Sequence, residues 1–262
     1  MENNGVEAKL YIEKQLEKQG LVILPPMEAK DSLQLMSYLK LHPQTTILDP
    51  WYNRGTGGVR EDYVDYQLEI INFIKGNTKH FFFWGFPEIA ALFINRIDKP
   101  LEFVTWITWF YKNNPSVIRG WRSSQQACLH YATKDAKMYP EHFFNAQQEI
   151  RFENKKMRFV PGPTSVIEES LLVGFVGKKE QTGHPSQKPE KVYEKLILMS
   201  SKVGDLVYDP MAGSGTTAAV CKIHKRKCII SDISEEYTAI AEKRLLVKRL
   251  PINLIEHILA LV

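Results

Sequence analysis

One segment near the end of the chain limits the folds open to the rest. "DLVYDPMAGSGTTAAV" (205–220) is an apolar run that closes on Asp209, bends through Gly213 and Gly215, and resumes at helical spacing. Glycines at such a bend let the backbone approach a ligand, and the start of the helix offers N–H groups with no partner inside it. The next apolar run, "KCIISD" (227–232), ends on Asp232. A carboxylate about 20 residues beyond a glycine turn, at the end of the following strand, is placed for ribose hydroxyls. Strand, glycine turn, helix and acid-ended strand form one half of an α/β fold with a parallel sheet.

The ligand class follows from what the turn lacks. It has neither the spaced Gly-x-Gly-x-x-Gly of a pyrophosphate binder nor the Gly-Lys-Ser ending of a phosphate loop. An acid opening the turn suits a cationic ligand better, and S-adenosylmethionine carries an ammonium and a sulfonium. Asp209, Pro210, Ala212, Gly213, Ser214, Gly215, Thr216, Thr217 and Asp232 are therefore candidate cofactor contacts.

Upstream the pattern alternates in the same way. Helical spacing over 6–19, 31–40, 62–75 and 87–97 separates strand-like runs at 21–25, 45–49, 80–85, 102–111 and 124–134. With the two late strands this predicts a seven-stranded, mostly parallel sheet covered by helices on both faces, a Rossmann-like arrangement. The period fails between 135 and 183, where charge, aromatics, prolines and glycines mix, as in a small insert or a long functional loop. The reading is an N-terminal, catalytic half over 1–134, an insert over 135–183, and a cofactor half with an apolar tail over 184–262. The tail, "INLIEHILALV", packs back on the body or meets a partner.

Composition excludes little more. The 262 residues carry a net charge of +4, which permits a polyanionic partner without requiring one. The three cysteines, Cys128, Cys221 and Cys228, lack metal spacing and sit in apolar surroundings, so they read as buried free thiols in a reducing cytoplasm. The polar, helical N-terminus is not a signal peptide, and no apolar run has the length of a membrane span.

"DPWY" (49–52), "HPSQKP" (184–189) and "DPMAGSGTT" (209–217), in that order, resemble the motifs of the β-class DNA amino-methyltransferases. The resemblance covers most of 20–250 and implies the circularly permuted methyltransferase fold, S-adenosylmethionine as cofactor, no metal, and double-stranded DNA as partner. It implies that Asp49 and the Pro50 carbonyl accept the two N–H groups of an exocyclic amine, favouring a tetrahedral nitrogen aimed at the methyl group. Tyr52 would stack on a base turned out of the duplex. Ser186, Gln187 and Lys188 would lie beside the methionine end of the cofactor. Trp51 stands where the family has a second proline, and Trp51 and Asn53 would flank the substrate. Basic residues outside the motifs, Arg119 and Arg122 in one loop and Lys155 and Arg158 in the insert, are candidates for phosphate contact.

Asp rather than Ser at position 49 implies the N6 amine of adenine, in a short specific site, with a restriction-modification or DNA-marking role. Three other readings stay open: methylation of the N4 amine of cytosine, a catalytically weak chain serving as DNA-binding partner of an active subunit, and methylation of RNA or protein. A homodimer or a partner methyltransferase or restriction subunit is compatible with the motifs.

Overall fold

The computed structural model describes residues 2–54, 58–114, 117–118 and 120–261. In chain order the strands are β1 (Leu21–Ile23), β2 (Thr45–Leu48), β3 (His80–Gly85), β4 (Glu102–Phe110), β5 (Val117–Ile118), β6 (Trp121–Arg122), β7 (Gln125–Ala132), β8 (Val166–Glu168), β9 (Leu206–Asp209) and β10 (Lys227–Ile230). The helices are α1 (Glu2–Gln19), α2 (Ala29–Tyr38), α3 (Tyr63–Lys75), α4 (Pro87–Ala90), α5 (Ala146–Glu153), α6 (Glu190–Ser200), α7 (Thr216–Ile223), α8 (Glu235–Leu245) and α9 (Glu256–Leu259).

β2 and β3 are buried along their whole length, as strands in the middle of a helix-covered parallel sheet must be. Their pleat divides the core in two. Phe81, Phe83, Leu48 and Tyr208 point into one half, packed by α1, α2, α3 and α9. Phe82, Trp84, Ile47 and Val207 point into the other, packed by α6, α7 and α8. Alternation at period two thus sends successive aromatic residues of one strand to opposite helical layers.

The main sheet runs β1–β10–β9–β2–β3–β7–β4–β8, with β5 and β6 paired as a separate hairpin. All its neighbours are parallel except β7, which is antiparallel to both β3 and β4. Among the described residues the sheet has eight strands, one more than the pattern predicts. The extra strand is β8, supplied by the irregular 135–183 segment and joined to the free edge of β4. Three residues are too few to display a period, which is why it escapes a pattern reading. The helix expected over 87–97 stops at Ala90, and Leu92, Phe93 and Arg96 continue it only as turns bonded three residues back. Ile255 and Ile258 of the tail are fully buried against α1 and α2, so the tail packs on the body. No helix among the described residues is long and apolar enough to cross a membrane.

One topological fact places the site. From β9 the chain crosses through α7 outward to β10, whereas from β2 it crosses through α3 outward to β3 on the other side. The gap between β9 and β2 is therefore the switch point, and ligands of open α/β sheets bind outside the strand C-termini there. Asp49 follows the C-terminus of β2, and Asp209 ends β9. Parallel pairing of Thr45 with Val207 and Thr46 with Tyr208 puts both ends on one edge.

Candidate active site

The carboxylate corner is a dense network. Asp49 accepts from the Tyr52 hydroxyl at 2.8 Å on one oxygen. On the other it accepts from the Lys188 ammonium and, at 3.1 Å, from the Tyr193 hydroxyl of α6. Lys188 also donates to the Tyr52 oxygen at 2.8 Å. Its ammonium lies 5.3 Å from the Tyr52 ring centre and 5.2 Å from that of Trp84, within reach of both π faces. Trp84 in turn stacks on Tyr193, with 8° between the ring planes. Gln126 of β7 meets the Tyr52 hydroxyl at 3.0 Å. A phenol has one proton, so Tyr52 donates to Asp49 or to Gln126 but not to both at once. Burial first, then the Asp49 charge, raises the Tyr52 and Tyr193 hydroxyls well above the usual phenol range, and both stay protonated donors.

The glycine turn is held by acids. Asp232 accepts the Gly213 N–H at 2.8 Å and the Ser234 N–H at 2.9 Å, and remains half-buried. Asp209, 1% exposed, lies beneath the turn, accepting from the Thr217 hydroxyl and from the Met211 N–H. Burial pushes the Asp209 carboxyl up to about 7 against those two hydrogen bonds, with smaller contributions from the Asp49 and Asp232 charges. Gly213 adopts φ +51°, and a Cβ there would come within 2.9 Å of the His184 imidazole, so this position needs glycine on both counts. Gly215, at φ +74°, caps α7, and Ala212 donates to Ser231 across the turn. Burial holds His184 near 4 and therefore neutral at physiological pH.

Residues 180–190 join the two corners. The Lys188 carbonyl accepts from the Thr216 hydroxyl at 3.2 Å while the same residue's ammonium holds Asp49. Gln187 braces the loop from within: its carbonyl oxygen accepts from the Thr182 N–H and hydroxyl, and its amide donates to Glu180. Ser186, exposed, donates its N–H to His184. Arg244 of α8 fastens the assembly, donating to Ser214 and Thr216 on the turn and at 2.8 Å to Glu190.

The remaining expected residues have other local work. The Trp51 ring lies against Tyr63 and Tyr66 of α3, and its carbonyl accepts from the Tyr63 hydroxyl. Asn53 exchanges two hydrogen bonds with the Arg60 backbone and so closes its own loop. Arg122 donates to the carbonyls of Lys112 and Asn114 across the base of its hairpin. Lys155 and Arg158 are exposed, and Arg119 lies outside the described residues. Tyr193, Trp84, Gln126 and Arg244 are additions that the motifs do not signal. A concavity of about 1020 Å³ opens at the opposite edge, lined by Lys75, Lys79 and Asp205 near the starts of β3 and β9, remote from all of these residues. Among the described residues no group of three His, Cys, Asp or Glu side chains is placed to hold a metal.

Comparison with known proteins identifies the family and the fold. A family model described as DNA methylase matches residues 43–243. The Type II methyltransferase M.HpaI of Haemophilus parainfluenzae is 33% identical over 216 residues, covering 76% of this chain and 67% of that protein. For two further Type II methyltransferases, from Lactococcus lactis and Streptococcus pneumoniae, the match spans 49% of the relative's length. The crystal structure of an M1.HpyAVI–SAM complex superposes with a TM-score of 0.66 over 86% of this chain and 98% of that one, at 22% identity. The PvuII DNA methyltransferase, described as cytosine-N4-specific, gives 0.59 over 92% and 94%, at 17% identity.

Proposed function

Because the chain belongs to the N6/N4 family of DNA methylases, we propose that it transfers a methyl group from S-adenosylmethionine to the N6 amine of adenine in double-stranded DNA. The observation that carries this reading is the meeting of the Asp49 corner and the glycine turn at one switch point, joined through Lys188.

The site suits the cofactor in charge. Asp49, Asp209 and Asp232 act electrostatically on one site, and the charges of Asp49 and Asp232 both disfavour ionisation of Asp209. A cationic ligand relieves that repulsion. The Gly213 bend carries no side chain of its own, and the His184 imidazole packs against its backbone. Asp232, with two of its roughly four acceptor sites taken by backbone N–H groups, keeps capacity for ribose hydroxyls. When bound, S-adenosylmethionine supplies a methyl group activated by its sulfonium.

The chain's own residues then orient the nucleophile. An aromatic amine is a poor nucleophile while its lone pair is delocalised into the ring. Asp49 accepts one of its N–H groups and the Pro50 carbonyl the other, which holds the nitrogen toward tetrahedral geometry. Tyr52 has two duties in this reading: it orients Asp49 through its hydroxyl and offers its ring to the extruded base. The β5–β6 hairpin grows from the same sheet edge, since Phe110 pairs with Gln125 and the adjacent Gln126 touches Tyr52. Trp121 on that hairpin is 83% exposed, an apolar side chain presented toward where a duplex would lie. Adenine is preferred to cytosine because position 49 is Asp, as in the adenine pattern of the resembled class. A restriction-modification or DNA-marking role belongs to the same reading.

Incubation of the chain with genomic DNA and cofactor, followed by mass spectrometry of the nucleosides, tests it. N6-methyldeoxyadenosine is expected. N4-methyldeoxycytidine would overturn the choice of base, and a chain that binds S-adenosylhomocysteine but methylates neither base would overturn the enzymatic reading.

A further inference from the structure

The carboxylate meant to receive the substrate amine is already paired with a buried lysine. Lys188 is 5% exposed and Asp49 16%, so the pair sits where solvent screens little. The groups that act electrostatically with Asp49 come from every element around it: Tyr52 on its own loop, Tyr63 from α3, Cys128 from β7, His184 beside the turn, Tyr193 from α6 and Asp209 from β9. Five of these are neutral or anionic by nature, and burial keeps the sixth, His184, neutral. Positive charge at Asp49 therefore comes from Lys188. Without that contact the carboxylate keeps only the hydroxyls of Tyr52 and Tyr193 to fix its orientation.

We infer that Lys188 is a positioning residue for Asp49, holding the carboxylate aimed, and that it does so from the loop that also grips the glycine turn. The inference rests on the reading of the site as an amino-methyltransferase and assigns the lysine to its catalytic half, not to cofactor affinity. Two contacts carry it: the ammonium on Asp49 and Tyr52, and the carbonyl of the same residue on the Thr216 hydroxyl of α7. The rings of Tyr52 and Trp84 lie 5.3 and 5.2 Å from the ammonium. Because three hydrogen bonds converge on Asp49, an arriving amine uses the lone pairs that remain or displaces Tyr52, whose hydroxyl has Gln126 as an alternative acceptor.

The test compares the full chain with Lys188→Met and Lys188→Arg, measuring methyl transfer to genomic DNA at saturating cofactor, and S-adenosylhomocysteine binding by calorimetry. Expected for Lys188→Met is a loss of about 100-fold in kcat at pH 7. Its S-adenosylhomocysteine Kd stays within about threefold of the parent's. Lys188→Arg should recover most of the loss, and ethylamine added to Lys188→Ala should restore measurable turnover, which a merely structural role would not allow. Weakened S-adenosylhomocysteine binding with normal turnover at saturation would overturn the inference and return the lysine to the cofactor. Full activity of Lys188→Met beside an active parent would overturn it alone. No transfer by the parent chain would remove the underlying reading and the inference together.

Discussion

Asp209 is the residue whose environment makes the sharpest thermodynamic claim. Its carboxyl, 1% exposed, is raised by burial from an ordinary 3.8 to about 7. Between those values the folded chain binds a proton that the unfolded chain has released, so stability falls as pH rises through the window from about 4 to 7. The full effect is on the order of 4 kcal/mol, three units at about 1.4 kcal/mol each. Asp209→Asn keeps the shape and removes the titration. The stability difference between parent and variant, measured by urea unfolding at steps of pH, is expected to move against the parent from pH 4 to 7. A difference that stays level would mean that Asp209 is ionised throughout. At this scale the sequence was most legible where a residue acts through its own neighbourhood. Asp49 and Gly213 stand out because a strand end and a positive-φ bend are local events. Tyr193 and Gln126 reach the same site across 144 and 74 positions, and nothing adjacent to them in the chain signals it. Lys188 lay between these cases: the motif marked it, and only the fold gave its ammonium to Asp49.

Most elements with a sustained period lie within a few residues of their expected bounds, the helix expected over 87–97 excepted, and those without a period go unread. β3 occupies 80–85 as expected, because an apolar run from Phe81 to Trp84 lies between Lys79 and the break at Pro87. β8 and the β5–β6 hairpin, with three and two residues per strand, have no period to read and form because β4 and β7 leave an edge and two adjacent ends to be joined. The hairpin is nonetheless built to hold a shape: Arg122 bridges two carbonyls at its base, and Asn114 donates to the Ser123 carbonyl. A stem carrying an exposed indole is suited to stacking on, or wedging between, bases. Trp121→Ala is therefore expected to raise the DNA concentration for half-maximal turnover by about 10-fold, corresponding to roughly 1–3 kcal/mol for one stacked aromatic. S-adenosylhomocysteine affinity should be unchanged. Fluorescence anisotropy with a labelled duplex and calorimetry check the two halves, and unaltered duplex binding would place the hairpin away from DNA.

Across the whole molecule, the division of the sheet into two cores separates stability from chemistry. The Asp49 partners Lys188 and Tyr193, with Trp84 against both, lie with or beside the α6–α8 core, whereas the tail closes the opposite one. The alternation of strands with helices foretold both layers, but the tail's destination was left open because its apolar face fits a partner's surface as well as its own body. Its destination is settled by contact: Leu250 donates to the Ile23 carbonyl at the end of β1, and Ile255 and Ile258 reach full burial against the helices of that face. Ile255→Ala should then behave as a core truncation, costing about 2–5 kcal/mol and lowering the urea midpoint accordingly. Turnover per folded molecule, measured well below that midpoint, should match the parent's, because Ile255 packs in the core on the other side of the sheet from Tyr193. A variant of normal stability would show that the tail is only loosely seated. A stable variant with reduced turnover would show instead that the two layers are energetically coupled through the sheet, and that the edge carrying Asp49 and the glycine turn is set by both cores.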